Sequence, residues 1–179
     1  MRFLQTVLLV MTVSTSAFAQ TNRIDIIRHD APEFSQFGAF DIGVRTLDLV
    51  AAQSVDVINS VAGEVTNYYD RPITVELWYP ATLSAGQSPG GEYSAETRNL
   101  DIIATLHGKA VRDAAPNVGE GPYPLVIISH GYPGNRFLLS HLGENLASKG
   151  YVVASIDHTD STYRRQEPIA STLYNRPLD

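Results

Sequence analysis

Residues 123–129 read YPLVIIS, residues 130–131 HG, residues 137–150 FLLSHLGENLASKG and residues 151–157 YVVASID. The first and last of these are short, nearly unbroken apolar runs of strand length, the pattern of strands buried on both faces of a parallel sheet. Between them Leu138, Leu142 and Leu146 recur every four residues. Lys149 closes that segment and Gly150 follows, which predicts an amphipathic helix over 137–148 with a glycine C-cap. Strand, helix and strand in about 35 residues make a right-handed βαβ crossover. The expected class is therefore α/β.

Upstream, Val44–Val50 reads as a short strand. Ile73–Tyr79 alternates Ile73, Val75, Leu77 and Tyr79 inward with Thr74, Glu76 and Trp78 outward, and Pro80 is expected to end it. These two segments are expected to lie side by side and antiparallel. Residues 21–43 are polar, aromatic and interrupted by Pro32, Gly38 and Gly43, which predicts an irregular wrap. Residues 84–122 hold six glycines and three prolines, composition enough to predict a long surface excursion, either a rim over a pocket or a simple insertion.

The chain has 179 residues, 13 Lys and Arg, 19 Asp and Glu, and no cysteine. Without thiols it has no disulfide framework, thiolate metal site or thiol nucleophile. Residues 1–19 carry Arg2, an apolar run from Leu8 to Val13 and Ala17-Phe18-Ala19, the form of a cleavable secretory signal peptide. The expectation is a secreted or periplasmic protein with no integral membrane span, its domain running from 20 to 179. Removing 19 residues and one arginine leaves 160 residues and a charge of 12 − 19 = −7, which disfavours nucleic acid as a partner. No cofactor and no metal is expected.

In open parallel sheets the reacting groups gather where strands end. His130-Gly131-Tyr132-Pro133-Gly134 stands at such an end. Gly131 permits a sharp turn, and Pro133 and Gly134 set the next one, leaving the Tyr132 amide free to face a pocket as an oxyanion hole requires. The supporting residues are His130, Gly131, Pro133 and Gly134.

The stretches YPLVIISHGYPGNR, LASKGY and VVASIDHTDSTY, with GVRTLDL and RPITVELWYPA upstream, resemble secreted α/β-hydrolases of the platelet-activating-factor acetylhydrolase and dienelactone-hydrolase-like group. The resemblance covers most of Asp30 to Asp179. It implies an α/β-hydrolase fold whose first strands are antiparallel, a carboxylic ester hydrolase or lipase-like activity on a small-molecule or lipid ester, and Tyr132 as the amide donor to the oxyanion. It also implies that His158, with Asp157 beside it, is structural and shapes the site floor. The family next needs a G-x-S-x-G nucleophile elbow and then an acid and a histidine. No such strand or elbow follows Asp157. The expectation is thus an N-terminal part of the fold with its C-terminal half missing, inactive alone. A non-catalytic secreted binding module or an inactive gene fragment is the alternative.

Three patterns are decoys. Gly86-Gln87-Ser88-Pro89-Gly90 matches G-x-S-x-G literally, but Pro89 has no N–H to give the oxyanion. Ile26-Ile27-Arg28-His29-Asp30 is similar to the start of histidine phosphatases, a distant alternative, with a carboxylate where glycine belongs. Asp157, His158 and Asp160 are too close in sequence to converge on a metal. His107-Gly108 reads as a loop, and His141 as the edge of the helix.

Overall fold

The computed structural model describes residues 21–179, so the leader expected at residues 1–19 lies outside the described residues. In chain order the elements are β1 (Asn22–Arg23), a 3-10 turn (Glu33–Ser35), β2 (Asp41–Val55), β3 (Tyr68–Thr82), β4 (Glu92–Glu96), β5 (Ile103–His107), β6 (Val111–Arg112), β7 (Ala115–Pro116), β8 (Leu125–Ser129), α1 (Ser140–Ala147), β9 (Val152–Asp157) and α2 (Ile169–Asn175). The main sheet runs β6-β2-β3-β9-β8, with β7 beside β3, and a small sheet runs β1-β5-β4.

β8 and β9 are parallel, registered from Leu125 opposite Val152 to Ser129 opposite Ile156. β2 and β3 form the expected antiparallel pair, but each is 15 residues long, well beyond the expected spans. A bulge between Ala51 and Ser54 breaks their register, with Gln53 at φ 54°. Pro80 does not end β3. Its carbonyl accepts the Asn117 amide, so its nitrogen faces the side where β9 has stopped at Trp78, and no ladder donor is lost there.

The expected inward and outward faces of β3 also need correcting, because both are covered. Ile73 and Val75 pack with Ile156 on one face, and Trp78 joins Val44, Phe137, Ala147 and Val153 on the other. Conversely, β8 is an edge strand rather than one buried on both faces. Leu125 and Ile127 are 60% and 63% exposed, while Ile128 faces the core.

The helix follows its expected place but turns a different face inward. Leu138 and Leu142 are 45% and 39% exposed, and the buried positions are Ser140, Gly143, Glu144 and Ala147. Small residues win because the helix backbone sits against Trp78. A Cβ on Gly143 would lie 2.7 Å from the indole, so the leucine stripe is rotated away from the sheet. Gly150 closes the helix at φ 93°, the left-handed cap that glycine adopts without strain.

The excursion at 84–122 carries the strands β4 to β7. Its β4–β5 hairpin packs over α1, and Glu144 pins it: the carboxylate accepts the Lys109 amide at 2.8 Å and the Ala110 amide at 3.1 Å. Tyr93 donates its hydroxyl to Glu144 at 2.5 Å and accepts the Trp78 indole N–H at 2.9 Å. Burial, and then the neighbouring Glu144, push the Tyr93 phenol far above its usual range, so it remains a donor.

Candidate active site

Ser129 is the last residue of β8, and the 130–134 turn follows at the carboxyl end of the parallel pair. His130 is buried. Its Nε2 accepts the His158 amide at 3.1 Å, so the ring proton sits on Nδ1, which donates to the Gly131 carbonyl at 2.7 Å. Burial pushes its pKa down and keeps the ring neutral.

The turn is held from outside as well. Arg176, at the C-cap of α2, donates to the carbonyls of His130 at 2.6 Å and Gly131 at 3.3 Å and to Ser161 Oγ at 2.8 Å. The Gly134 amide donates to Ser161 at 3.1 Å, and the Tyr163 amide returns to Gly134 at 3.2 Å. The Tyr132 hydroxyl donates to the Glu167 carbonyl. The Tyr132 amide is different: among the described residues no acceptor takes it, and the residue is 38% exposed. A rigid turn that leaves a main-chain N–H unclaimed can bind a developing negative charge.

Next to this turn lies a set of contacts that the sequence reading missed. Asp179 accepts from His158 Nδ1 at 2.9 Å, and His158 Nε2 lies 2.8 Å from Ser129 Oγ. Because the ionised carboxylate can only accept, Nδ1 carries the proton and Nε2 is left to accept the serine hydroxyl. Asp179 is gripped in turn by Arg71, through Nε and Nη2, both at 2.7 Å. Burial works against the charge on Asp179, but Arg71 and His158 hold its carboxyl below the usual range.

Arg71 is buried in β3 and also donates to Asp160 at 3.1 Å and to Tyr69 Oη at 2.9 Å. Asp160 accepts from Ser171 Oγ at 2.5 Å and Asn175 Nδ2 at 3.2 Å, tying α2 to the strand end. Asp157 turns away from His158. It accepts the Arg136 amide at 2.6 Å and the Arg136 guanidinium, which also reaches Glu76 at 3.2 Å.

The remaining sequence candidates lie apart. Ser88 is in an exposed turn with no strand leading into it, and among the described residues no serine stands on a G-x-S-x-G strand-to-helix elbow. His29 is exposed in an irregular segment beside an Arg28–Asp30 ion pair of 3.0 Å. His107 is not in a loop: it ends β5 and its Nδ1 meets Glu92 across the hairpin at 3.2 Å. His141 is exposed on the wall of a cavity of about 450 Å³, lined also by Ile24, Ala95, Leu106, Phe137 and Leu138. The hairpin of the excursion forms one side of that cavity. Among the described residues no helix is long and apolar enough to cross a membrane.

Residues 68–172 match the family described as platelet-activating factor acetylhydrolase, isoform II. A platelet-activating factor acetylhydrolase of Bos taurus is 40% identical over 83 residues, 42% of this chain and 18% of that protein. One of Cavia porcellus is 41% identical over 58 residues, 30% of this chain and 13% of that protein. The chain thus spans less than a fifth of the length of these curated relatives. A ferulic acid esterase from Streptomyces cinnamoneus superposes with a TM-score of 0.57 at 32% identity, covering 80% of this chain and 38% of that one. The mixed sheet, the parallel β8–β9 crossover and this match fit an α/β-hydrolase-like fold. Because the family match takes in more than half of its residues, this chain belongs to the platelet-activating factor acetylhydrolase, isoform II family.

Proposed function

We propose that this chain forms the oxyanion-donating side of a serine ester hydrolase acting on small-molecule or lipid acyl esters. The Tyr132 N–H is the donor, and His130, Gly131, Pro133 and Gly134 support it. The observation that carries this reading is the Tyr132 amide, left without an acceptor in a turn that Arg176, Ser161 and His158 hold in place. In this reading His158 and Asp157 brace the floor behind the turn, and the family's elbow nucleophile, acid and catalytic histidine come from residues other than those described. The matched relatives are named for hydrolysing an acetyl ester and a ferulic acid ester, which supports ester chemistry and leaves the acyl group open.

The chemistry needs a preorganised donor, since the carbonyl oxygen gains charge only as the tetrahedral intermediate forms. One such donor stabilises that charge by about 3 kcal/mol. The domain is proposed to run from residue 20 to 179 behind an export leader, which places it outside the cytoplasm. Amino-terminal sequencing of the exported protein tests the leader.

The donor is tested by titrating ¹⁵N-labelled protein with a short alkylphosphonate, whose anionic oxygen mimics the tetrahedral oxyanion. The expected result is a saturable downfield shift of the Tyr132 amide, larger than that of any other residue in the turn. An unmoved Tyr132 resonance, with shifts elsewhere or nowhere, would overturn the assignment.

A further inference from the structure

The Gly131 carbonyl and the Tyr132 N–H are the two ends of one planar peptide. Where the N–H points is therefore decided by what the carbonyl binds. Gly131 itself offers little resistance to rotation, since glycine carries no side chain and a Cβ there would meet nothing closer than 3.9 Å. A turn of the peptide about its two flanking single bonds would put the carbonyl where the N–H stands, leaving an anion to face an oxygen.

Two donors converge on that carbonyl oxygen. His130 Nδ1 gives the short bond, 2.7 Å, and Arg176 Nη2 adds a longer one at 3.3 Å. The other arm of the guanidinium, Nη1, donates to the preceding carbonyl, that of His130, at 2.6 Å, so one rigid fork fixes two successive peptide planes. Arg176 is held in turn. Its Nη2 also donates to Ser161 Oγ at 2.8 Å and its amide to the Thr172 carbonyl at 3.0 Å. Asn175 beside it is tied to Asp160 at 3.2 Å, and Asp160 to Arg71 in β3 at 3.1 Å.

Other guanidiniums of the sheet meet carboxylates: Arg71 pairs with Asp160 and Asp179, and Arg112 and Arg136 with Glu76. Arg176 directs its fork at main-chain carbonyls instead. A tether needs no charge. A cation on the oxygen of a peptide also draws electron density towards that oxygen, which leaves the N–H at the other end a stronger donor. We infer that Arg176 is a positioning residue of the oxyanion donor: with His130 it holds the Gly131–Tyr132 peptide with its N–H towards the pocket, and its charge on the Gly131 oxygen strengthens that N–H towards an anion. The inference rests on the reading of Tyr132 as the donor. Arg176 touches no substrate and works through the peptide alone.

The test compares wild type, Arg176→Gln and Arg176→Lys, each labelled with ¹³C and ¹⁵N, before and during titration with methylphosphonate. Arg176→Gln keeps a neutral donor but loses the charge and the fork. The Gly131 carbonyl carbon and the Tyr132 nitrogen are expected to move upfield before any ligand is added, as a peptide does when its oxygen loses a cationic donor. The Kd for methylphosphonate, read from the Tyr132 amide, is expected to rise about tenfold. A Gly131 carbonyl signal that stays in place, or an unchanged Kd, would overturn the inference.

Arg176→Lys keeps the cation without the fork, and carries the test if the glutamine protein does not fold. Its Gly131 carbonyl is also expected upfield, with a Kd about threefold above that of wild type, because a lone ammonium cannot reach both carbonyls. A wild-type Kd in Arg176→Lys would mean that the charge acts on the anion through space rather than through the peptide, and counts against the inference. A wild-type Tyr132 that ignores the phosphonate ends the donor reading itself. A wild-type Tyr132 that responds, with the Kd unchanged in both variants, ends only the role given to Arg176.

Discussion

Two buried carboxylates, Glu144 behind the main sheet and Asp179 at its carboxyl end, differ in where their hydrogen bonds lead. Glu144 closes on two main-chain amides and the Tyr93 hydroxyl, itself bonded to Trp78, so every partner lies inside the fold. Asp179 is clamped by Arg71 on one side and leads through His158 to an exposed serine on the other. Burial alone therefore does not distinguish the two carboxylates. The far end of the hydrogen-bond chain does: one ends in protein, the other in solvent.

The largest expected effect comes from Arg71→Met, which strands Asp160 and Asp179 without their buried cation. Urea denaturation should show a loss of about 3–5 kcal/mol. Glu144→Ala should cost somewhat less, about 3 kcal/mol, as a hydroxyl and two amides lose their acceptor. Gly143→Ala pushes a methyl into the Trp78 ring and should cost about 1–3 kcal/mol.

The smallest effect is that of mild acid. His130 has a folded pKa below its ordinary value, so its contribution is fully present above about pH 6.5 and is lost as pH falls towards the folded pKa. Stability should decline gently from about pH 6.5 downward. Asp160 and Asp179 are also held low, so a further loss should begin only below about pH 3.9, as the unfolded chain takes up protons that the folded one refuses. Denaturation midpoints from pH 7 to pH 3 check both limbs. His130→Gln should flatten the first limb and leave the second.

Much of the frame was legible in local pattern. The apolar runs flanking α1 and the alternation in β3 reported strands because burial leaves a period that a reader can count. Edge position left no such mark: Leu125 and Ile127 look like core residues in sequence and are exposed in the fold. The buried face of α1 was hidden for a related reason. Gly143 and Ala147 carry little hydrophobic signal, yet they allow the helix to approach Trp78, while Leu138 and Leu142 point outward.

At the candidate site the 130–134 turn was visible from its glycines and prolines. The network of Arg71, Asp179, His158 and Ser129 was not, because it joins β3, β8, the end of β9 and the segment after α2. Arg71 and Asp179 lie 108 residues apart, and no spacing rule connects them. The S-H-G and D-H-T-D segments could have suggested a pairing of strand ends, though only the fold shows that Asp179 returns to them.

The grip of Arg71 on Asp179 also has a bearing on biosynthesis. A ribosome delivers Arg71 first, then Ser129 and His158, and Asp179 last of the four. Until that aspartate emerges, a nascent chain holds a guanidinium with one of its two acidic partners missing and an imidazole free to flip. His158 is therefore held by Asp179 only after the strands that carry Arg71 and Ser129 have been made.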